Sequence, residues 1–142
     1  MNTRLEHANL NVRDVDTTVR FLVTAFPDWK IRAEGRKWNG DRWLHIGNDQ
    51  AYLALTQARE PAPEPWVPYG TKPGTNHLGF EVDDVEGVRK RLADAGYRDS
   101  TVPNRHPWRR RVYFNDADGN DWEFVQYLSD DPEKRNDYAL PD

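Results

Sequence analysis

Four histidines, 24 acidic residues and no cysteine set the chemistry open to this 142-residue chain. Without thiols it has no cysteine nucleophile, no thiolate zinc site and no disulfide. His7, His77 and Glu123 stand out, because each falls on the polar side of a different strand-like segment. Two imidazoles and a carboxylate can fill one face of an octahedron around a divalent metal, leaving the other positions to water, substrate or oxygen. Such a set suits Fe(II), with Mn(II), Ni(II), Co(II) or Zn(II) as alternatives. Read from the residues alone, a second account stays open: each histidine is a hydrogen-bonded packing residue and Glu123 a solvated or paired carboxylate.

The elements that must position these groups follow from periodicity. Arg4 to Val12 alternates polar and apolar, which predicts a strand. Asp14 sits at an N-cap position, Val15, Val19, Leu22 and Phe26 follow at helical spacing, and Pro27 ends the helix. Strands are predicted over Trp29–Glu34, Arg42–Gly47 and Ala51–Thr56, with Gly47-Asn48-Asp49 as a hairpin signal. Five prolines between Gln57 and Thr75 mark a long loop or linker. The pattern then restarts: a strand over His77–Val82, a helix capped by Asp84 and closed by Gly96, and strands over Tyr97–Val102, Arg110–Asn115 and Trp122–Gln126.

A shift of 70 positions superposes His7 on His77, Val12 on Val82, Asp14 on Asp84, Val15 on Val85, Leu22 on Leu92 and Ala25 on Ala95. The expectation is therefore an α+β protein of two tandem βαβββ modules, each with a sheet face that needs covering, joined into a cupped, barrel-like mixed sheet. Module one is expected at 1–57, the proline-rich linker at 58–75, module two at 76–127, and an acidic tail, loosely ordered or draped over a partner, at 128–142. Strand parity assigns His7, Asn9, Asn11, Trp43, His45, Tyr52, Ala54, Thr56, His77, Arg111, Tyr113, Asp121 and Glu123 to the polar faces. Leu44, Ile46, Leu53, Leu55, Val112, Phe114, Trp122 and Phe124 go to the core.

Composition narrows the classes. A net charge of −4 argues against a general nucleic-acid binder. No apolar run approaches the roughly 20 residues of a membrane span. The opening residues do not read as a signal peptide, so a cytoplasmic location is expected. Six tryptophans suit either a core or an aromatic-lined cavity.

Three segments resemble the vicinal oxygen chelate superfamily, which includes glyoxalase I, fosfomycin-resistance thiol transferases, extradiol dioxygenases and bleomycin-resistance proteins. They are Leu5–Val12, Asn76–Val82 and Tyr113–Phe124, the last similar to the family's Y-F-x-D-P-D-G-x-x-x-E ending with Ala117 in place of proline. The resemblance covers Arg4 to Tyr127 and implies the glyoxalase/bleomycin resistance/dioxygenase fold. It implies metal-ligand roles for His7, His77 and Glu123, with Fe(II) or Mn(II) favoured. Glyoxalase I uses a fourth ligand, a glutamate, where this chain has Ala54, which disfavours that activity. The resemblance points Tyr113 at a bound substrate as a hydrogen-bond donor that holds or protonates a metal-bound oxygen, against a core-edge tyrosine. It suggests His106 as an acid/base near the site, against a plain loop histidine. Asn9, Trp43, His45, Tyr52 and Arg111 are candidate substrate contacts, Arg111 for an anionic group, while Asn9 replaces a threonine of the fosfomycin enzymes.

What this implies is a homodimeric, metal-dependent enzyme for a small molecule with vicinal oxygens, by extradiol-type oxygenation or by thiol-transferase or lyase chemistry. The alternative is a metal-free, bleomycin-resistance-like protein that binds an aromatic small molecule.

Overall fold

The computed structural model describes residues 3–60 and 67–140. It divides into two compact units, residues 1–64 and 65–142. The prolines expected to mark the linker at 61, 63 and 65 lie outside the described residues.

In the first unit, β1 (His7–Val12), α1 (Val15–Ala25), β2 (Lys30–Arg36), β3 (Arg42–Gly47) and β4 (Tyr52–Gln57) form a four-stranded sheet of order β1-β4-β3-β2. β1 runs parallel to β4, and the other pairs are antiparallel. The second unit repeats this with β5 (His77–Glu81), α2 (Val85–Asp94), β6 (Arg98–Asp99), β7 (Arg109–Asn115) and β8 (Asp121–Tyr127) in the order β5-β8-β7-β6. The repeat seen in the sequence is thus a repeat of topology: two four-stranded mixed sheets in an α+β fold.

The local causes are those expected. Asp14 accepts from Asp16 N (2.9 Å) and Asp84 from Gly87 N (2.9 Å), each capping its helix. Val15, Phe21, Leu22 and Ala25 of α1, and Val85, Val88 and Leu92 of α2, are buried. The sheet residues assigned to the core are buried, led by Trp122, Phe114, Phe124, Leu44, Ile46 and Leu55. The sequence reading missed one device that occurs in both units. The Gln57 amide accepts from Val15 N (3.1 Å) and donates to Arg13 O, and Gln126 does the same with Val85 N (3.3 Å) and Asp83 O (2.6 Å). Each glutamine therefore ties the end of a strand to the start of its unit's helix.

Two expectations are corrected. The strand expected over Tyr97–Val102 shrinks to Arg98–Asp99, because the Thr101 hydroxyl, not a main-chain carbonyl, accepts from Tyr113 N (2.9 Å) and ends the ladder. The tail is not loose. Its short helix α3 (Pro132–Arg135) lies on the second unit, with Arg135 paired to Glu81 (2.6 Å) and stacked over Tyr127 (3.8 Å). Lys134 covers Trp108, and Tyr138 lies against the Arg109 guanidinium. No helix among the described residues is long and apolar enough to cross a membrane.

Candidate functional site

In the first unit, register places His7 opposite Tyr52, Asn9 opposite Ala54, and His45 opposite Ala54 on the other side. Their shared face carries a row of rings. His7 stacks on Tyr52 (centroids 5.0 Å apart), Tyr52 meets His45 (5.1 Å), and His45 meets Trp43 (5.1 Å). Arg32 lies 4.5 Å above Tyr52. His7 Nδ1 is hydrogen-bonded to the Glu6 carboxylate, which also accepts from the Tyr52 hydroxyl (3.0 Å). These bonds, from His7 first and Tyr52 second, hold the Glu6 carboxyl below its ordinary range, while the same contact pushes Tyr52 up. Asn9 is exposed.

The second unit gathers more chemistry. His77 on β5 and Glu123 on β8 converge, with Nε2 3.0 Å from Oε2. Register explains this: Glu123 pairs with Gly79, two residues along the same face from His77. A Cβ at Gly79 would stand 3.4 Å from Glu123 Oε2, an ordinary contact, so the carboxylate lies close over this position of β5. Tyr113, paired with Glu123 across β7–β8, donates to Oε1 (2.7 Å), and Arg111 Nη1 stands 3.7 Å from the same oxygen. Burial, reinforced by the bond to Glu123, pushes the Tyr113 phenol well above its ordinary range, so it stays a proton donor across neutral pH. Behind His77, the Tyr69 hydroxyl lies 3.1 Å from Nδ1 and donates to Asp121 Oδ2 (3.0 Å). Burial first and Asp121 second push the Tyr69 phenol up to about 12. Asp121 is itself held by Ser100 (2.6 Å) and Asn115 (3.1 Å).

The β7–β8 turn that sets this register is built by Asp116. Its Oδ1 accepts from Asp118 N and Asn120 N (both 2.9 Å), and its Oδ2 from Asn120 Nδ2 (2.9 Å) and Trp122 Nε1 (3.0 Å). Gly119, at φ +84°, completes the turn. The D-x-D-G motif is therefore structural in its aspartate and glycine and positions the glutamate that follows.

Of the expected site residues, the second unit unites His77, Glu123, Tyr113 and Arg111, and the first unit unites His7, Tyr52, His45 and Trp43. Neither unit assembles the expected triad by itself, and among the described residues no group of three or more histidine or acidic side chains is arranged to hold a metal. His106 is outside both sets. It is buried, and its Nε2 donates to Asp137 O (2.9 Å) while Nδ1 accepts from Trp108 N (3.2 Å). One nitrogen is engaged with the tail and the other with the loop that precedes β7, so neither is turned to the groups gathered around His77 or His7. A cavity of about 540 Å³ beside Asn115, Asp116 and Tyr97 is lined by neither His77 nor Glu123. Tyr69 and Glu6 are the neighbours sequence reasoning missed. The only signal for Tyr69 was its place in Val67-Pro68-Tyr69-Gly70, a turn sequence with an aromatic where glycine is usual.

Comparison with known proteins decides the family. The model of the Glyoxalase/Bleomycin resistance protein/Dioxygenase superfamily matches residues 4–124. The chain belongs to that superfamily. It is 30% identical over 112 residues to the uncharacterized protein YqjT of Bacillus subtilis, covering 73% of this chain and 80% of YqjT. The glyoxylase/bleomycin resistance protein/dioxygenase domain from Frankia sp. EAN1pec superposes with a TM-score of 0.75 at 23% identity, over 96% of this chain and all of that one. The fosfomycin resistance protein FosX of Listeria monocytogenes, solved as a variant with Mn(II) and 1S,2S-dihydroxypropylphosphonic acid, superposes at 0.68 with 17% identity, over 96% of this chain and all of FosX. At these identities the solved structures are similar in fold.

Proposed function

We propose that this member of the superfamily is a metal-dependent enzyme acting on a small molecule with vicinal oxygens. His77 and Glu123 would hold a divalent metal, with His7 of the first unit as the third ligand the resemblance implies. The observation that carries this reading is the approach of His77 Nε2 to Glu123 Oε2 at 3.0 Å. An imidazole nitrogen and a carboxylate oxygen come that close when the ring N–H donates to the carboxylate or when both bind one metal ion. The donor set, nitrogen plus carboxylate oxygen, fits Fe(II) or Mn(II), and the Mn(II) found with FosX supports the latter. When bound, such a metal supplies Lewis acidity for neighbouring substrate oxygens.

The chain's own residues supply the rest. Tyr113 remains protonated and holds Glu123 by its hydroxyl, from which a proton can pass to a substrate oxygen. Arg111 places positive charge beside Glu123, suited to a carboxylate or phosphonate. Asn9, Trp43, His45 and Tyr52 are proposed as substrate contacts, the last three offering flat ring faces. The ring row also favours a second reading, a metal-free binder of aromatic molecules. The protein is proposed to act as a homodimer, which light scattering tests.

The deciding experiment is the metal content of untagged protein purified anaerobically and reconstituted with Fe(II) or Mn(II), beside Glu123→Gln and His77→Ala. About one equivalent, lost in both variants, is expected. Folded protein that takes up no metal refutes the enzyme reading and sends the search to aromatic ligands.

A further inference from the structure

We infer that Tyr69, reaching out of the proline-rich segment, is the positioning residue that fixes the orientation and hydrogen placement of His77. This deepens the metal reading above and rests on it where metal affinity is concerned.

The argument begins with a backbone outlier. Tyr69 is the one non-glycine residue at positive φ (+61°) among those described. Gly70 N donates to Val67 O (3.1 Å), closing a four-residue turn with Pro68 second and Tyr69 third. The third place of a proline-led turn with positive φ belongs by preference to glycine or asparagine, because a Cβ is crowded there. An aromatic residue persists in such a place where its surroundings over-determine it, and such strain gathers at functional sites. Here the determinants are visible. Tyr69 N donates to Asn76 Oδ1 (2.8 Å), its ring lies against His77 (centroids 5.8 Å), and its hydroxyl bridges His77 Nδ1 and Asp121 Oδ2.

The direction of those bonds follows from counting protons. A phenol has one proton to give, and a carboxylate oxygen can only accept it. With that proton on the way to Asp121, the phenol oxygen is the acceptor for His77 Nδ1–H. Nδ1 is thereby committed as a donor, and Nε2 is the nitrogen that faces Glu123 Oε2, a contact that holds a proton when no metal is bound and is free to take a metal in its place. A histidine that donates one ring N–H to an anchored partner while presenting the other nitrogen is the arrangement that orients imidazole ligands. His7 is held through the same nitrogen, by Glu6 directly. Tyr69 does for His77 what an adjacent carboxylate does for His7, and the proline-led turn is what delivers it.

The test is Tyr69→Phe, which keeps the ring and removes the bridge. In metal-free 15N-labelled protein, the wild type is expected to show a slowly exchanging His77 Nδ1 proton, and the variant to lose it with its thermal midpoint nearly unchanged. Zn(II) affinity by calorimetry is expected to fall about 10- to 100-fold. An unchanged His77 ring spectrum, or unchanged Zn(II) affinity in protein that binds Zn(II), overturns the inference. If the wild type takes up no Zn(II) but the ring proton is still lost in Tyr69→Phe, the positioning role stands and the metal reading falls. Tyr69→Gly, which suits the turn, is expected to fold and to match Tyr69→Phe. A Tyr69→Gly protein with the wild-type ring signal and affinity would also overturn it.

Discussion

Asp116→Ala is expected to be among the most damaging single changes outside the core, and the structure sets the scale. The carboxylate accepts four hydrogen bonds. Three of their donors, on Asp118 and Asn120, are half-buried and can recruit water after truncation. The fourth, the Trp122 indole N–H, belongs to a side chain only 1% exposed. An orphaned buried donor costs about 1–3 kcal/mol. Adding a part share for the turn donors gives about 3 kcal/mol, or roughly 10 °C in a chain of this size. Urea unfolding followed by Trp fluorescence measures it. A pH limb accompanies the prediction. Burial raises the Asp116 pKa above its ordinary value of 3.8, so the folded state binds this proton more tightly than the unfolded state. Its stabilising contribution is full below pH 3.8 and is lost as pH rises through the raised folded value. Asp116→Asn cannot titrate, so wild type should gain stability relative to it on acidification toward pH 4. A loss under 1 kcal/mol in Asp116→Ala, or a flat difference between wild type and Asp116→Asn over that range, would refute the account of the turn.

Two predictions concern the tail. His106→Ala should lose about 2 kcal/mol, from one lost bond and one orphaned amide. It should speed hydrogen exchange at Trp108 N and leave metal uptake untouched, and reduced uptake would return His106 to the site. Arg135→Ala removes the contacts to Glu81 and Tyr127. It is expected to raise amide exchange across Leu128–Leu140 with little change in the global midpoint. Unchanged exchange would mean that the tail is held without this residue.

The sequence was most informative where apolar periodicity carried the signal. The 70-residue shift, both helix caps and the alternation in β3, β4, β7 and β8 rest on burying one face, and burial is what periodicity records. It was least informative where polar side chains do the work. Tyr97–Val102 reads as a strand until the Thr101 hydroxyl replaces a main-chain acceptor, a substitution no periodicity reveals. The tail has no apolar stripe, since cations over aromatic faces and an ion pair hold it. The candidate site divides the same way. Parity placed His77, Glu123, Tyr113 and Arg111 on one face, because strands of known register oblige it. Tyr69 comes from a turn eight residues before His77, where spacing constrains nothing, and only its clash with turn preference marked it.

The repeat also shows how matched positions diverged, and that divergence is open to test. Opposite its first histidine's strand, unit one carries Tyr52 and Ala54, while unit two carries Asp121 and Glu123 at the matching register. At these two register positions unit two carries carboxylates where unit one carries a ring and a methyl group. Ala54→Glu would restore to unit one the carboxylate that its counterpart has. Yet Ala54 is 4% exposed and faces Asn9 and His45 across its neighbouring strands. A glutamate there adds volume at a buried position and takes a charge out of water, which together cost about 2–4 kcal/mol. Ala54→Glu is therefore expected to be destabilised by chemical denaturation and to take up no more metal than wild type. A variant as stable as wild type with tighter Mn(II) binding would mean that the space beside Asn9 is open, and that Ala54 alone separates this chain from a four-ligand centre.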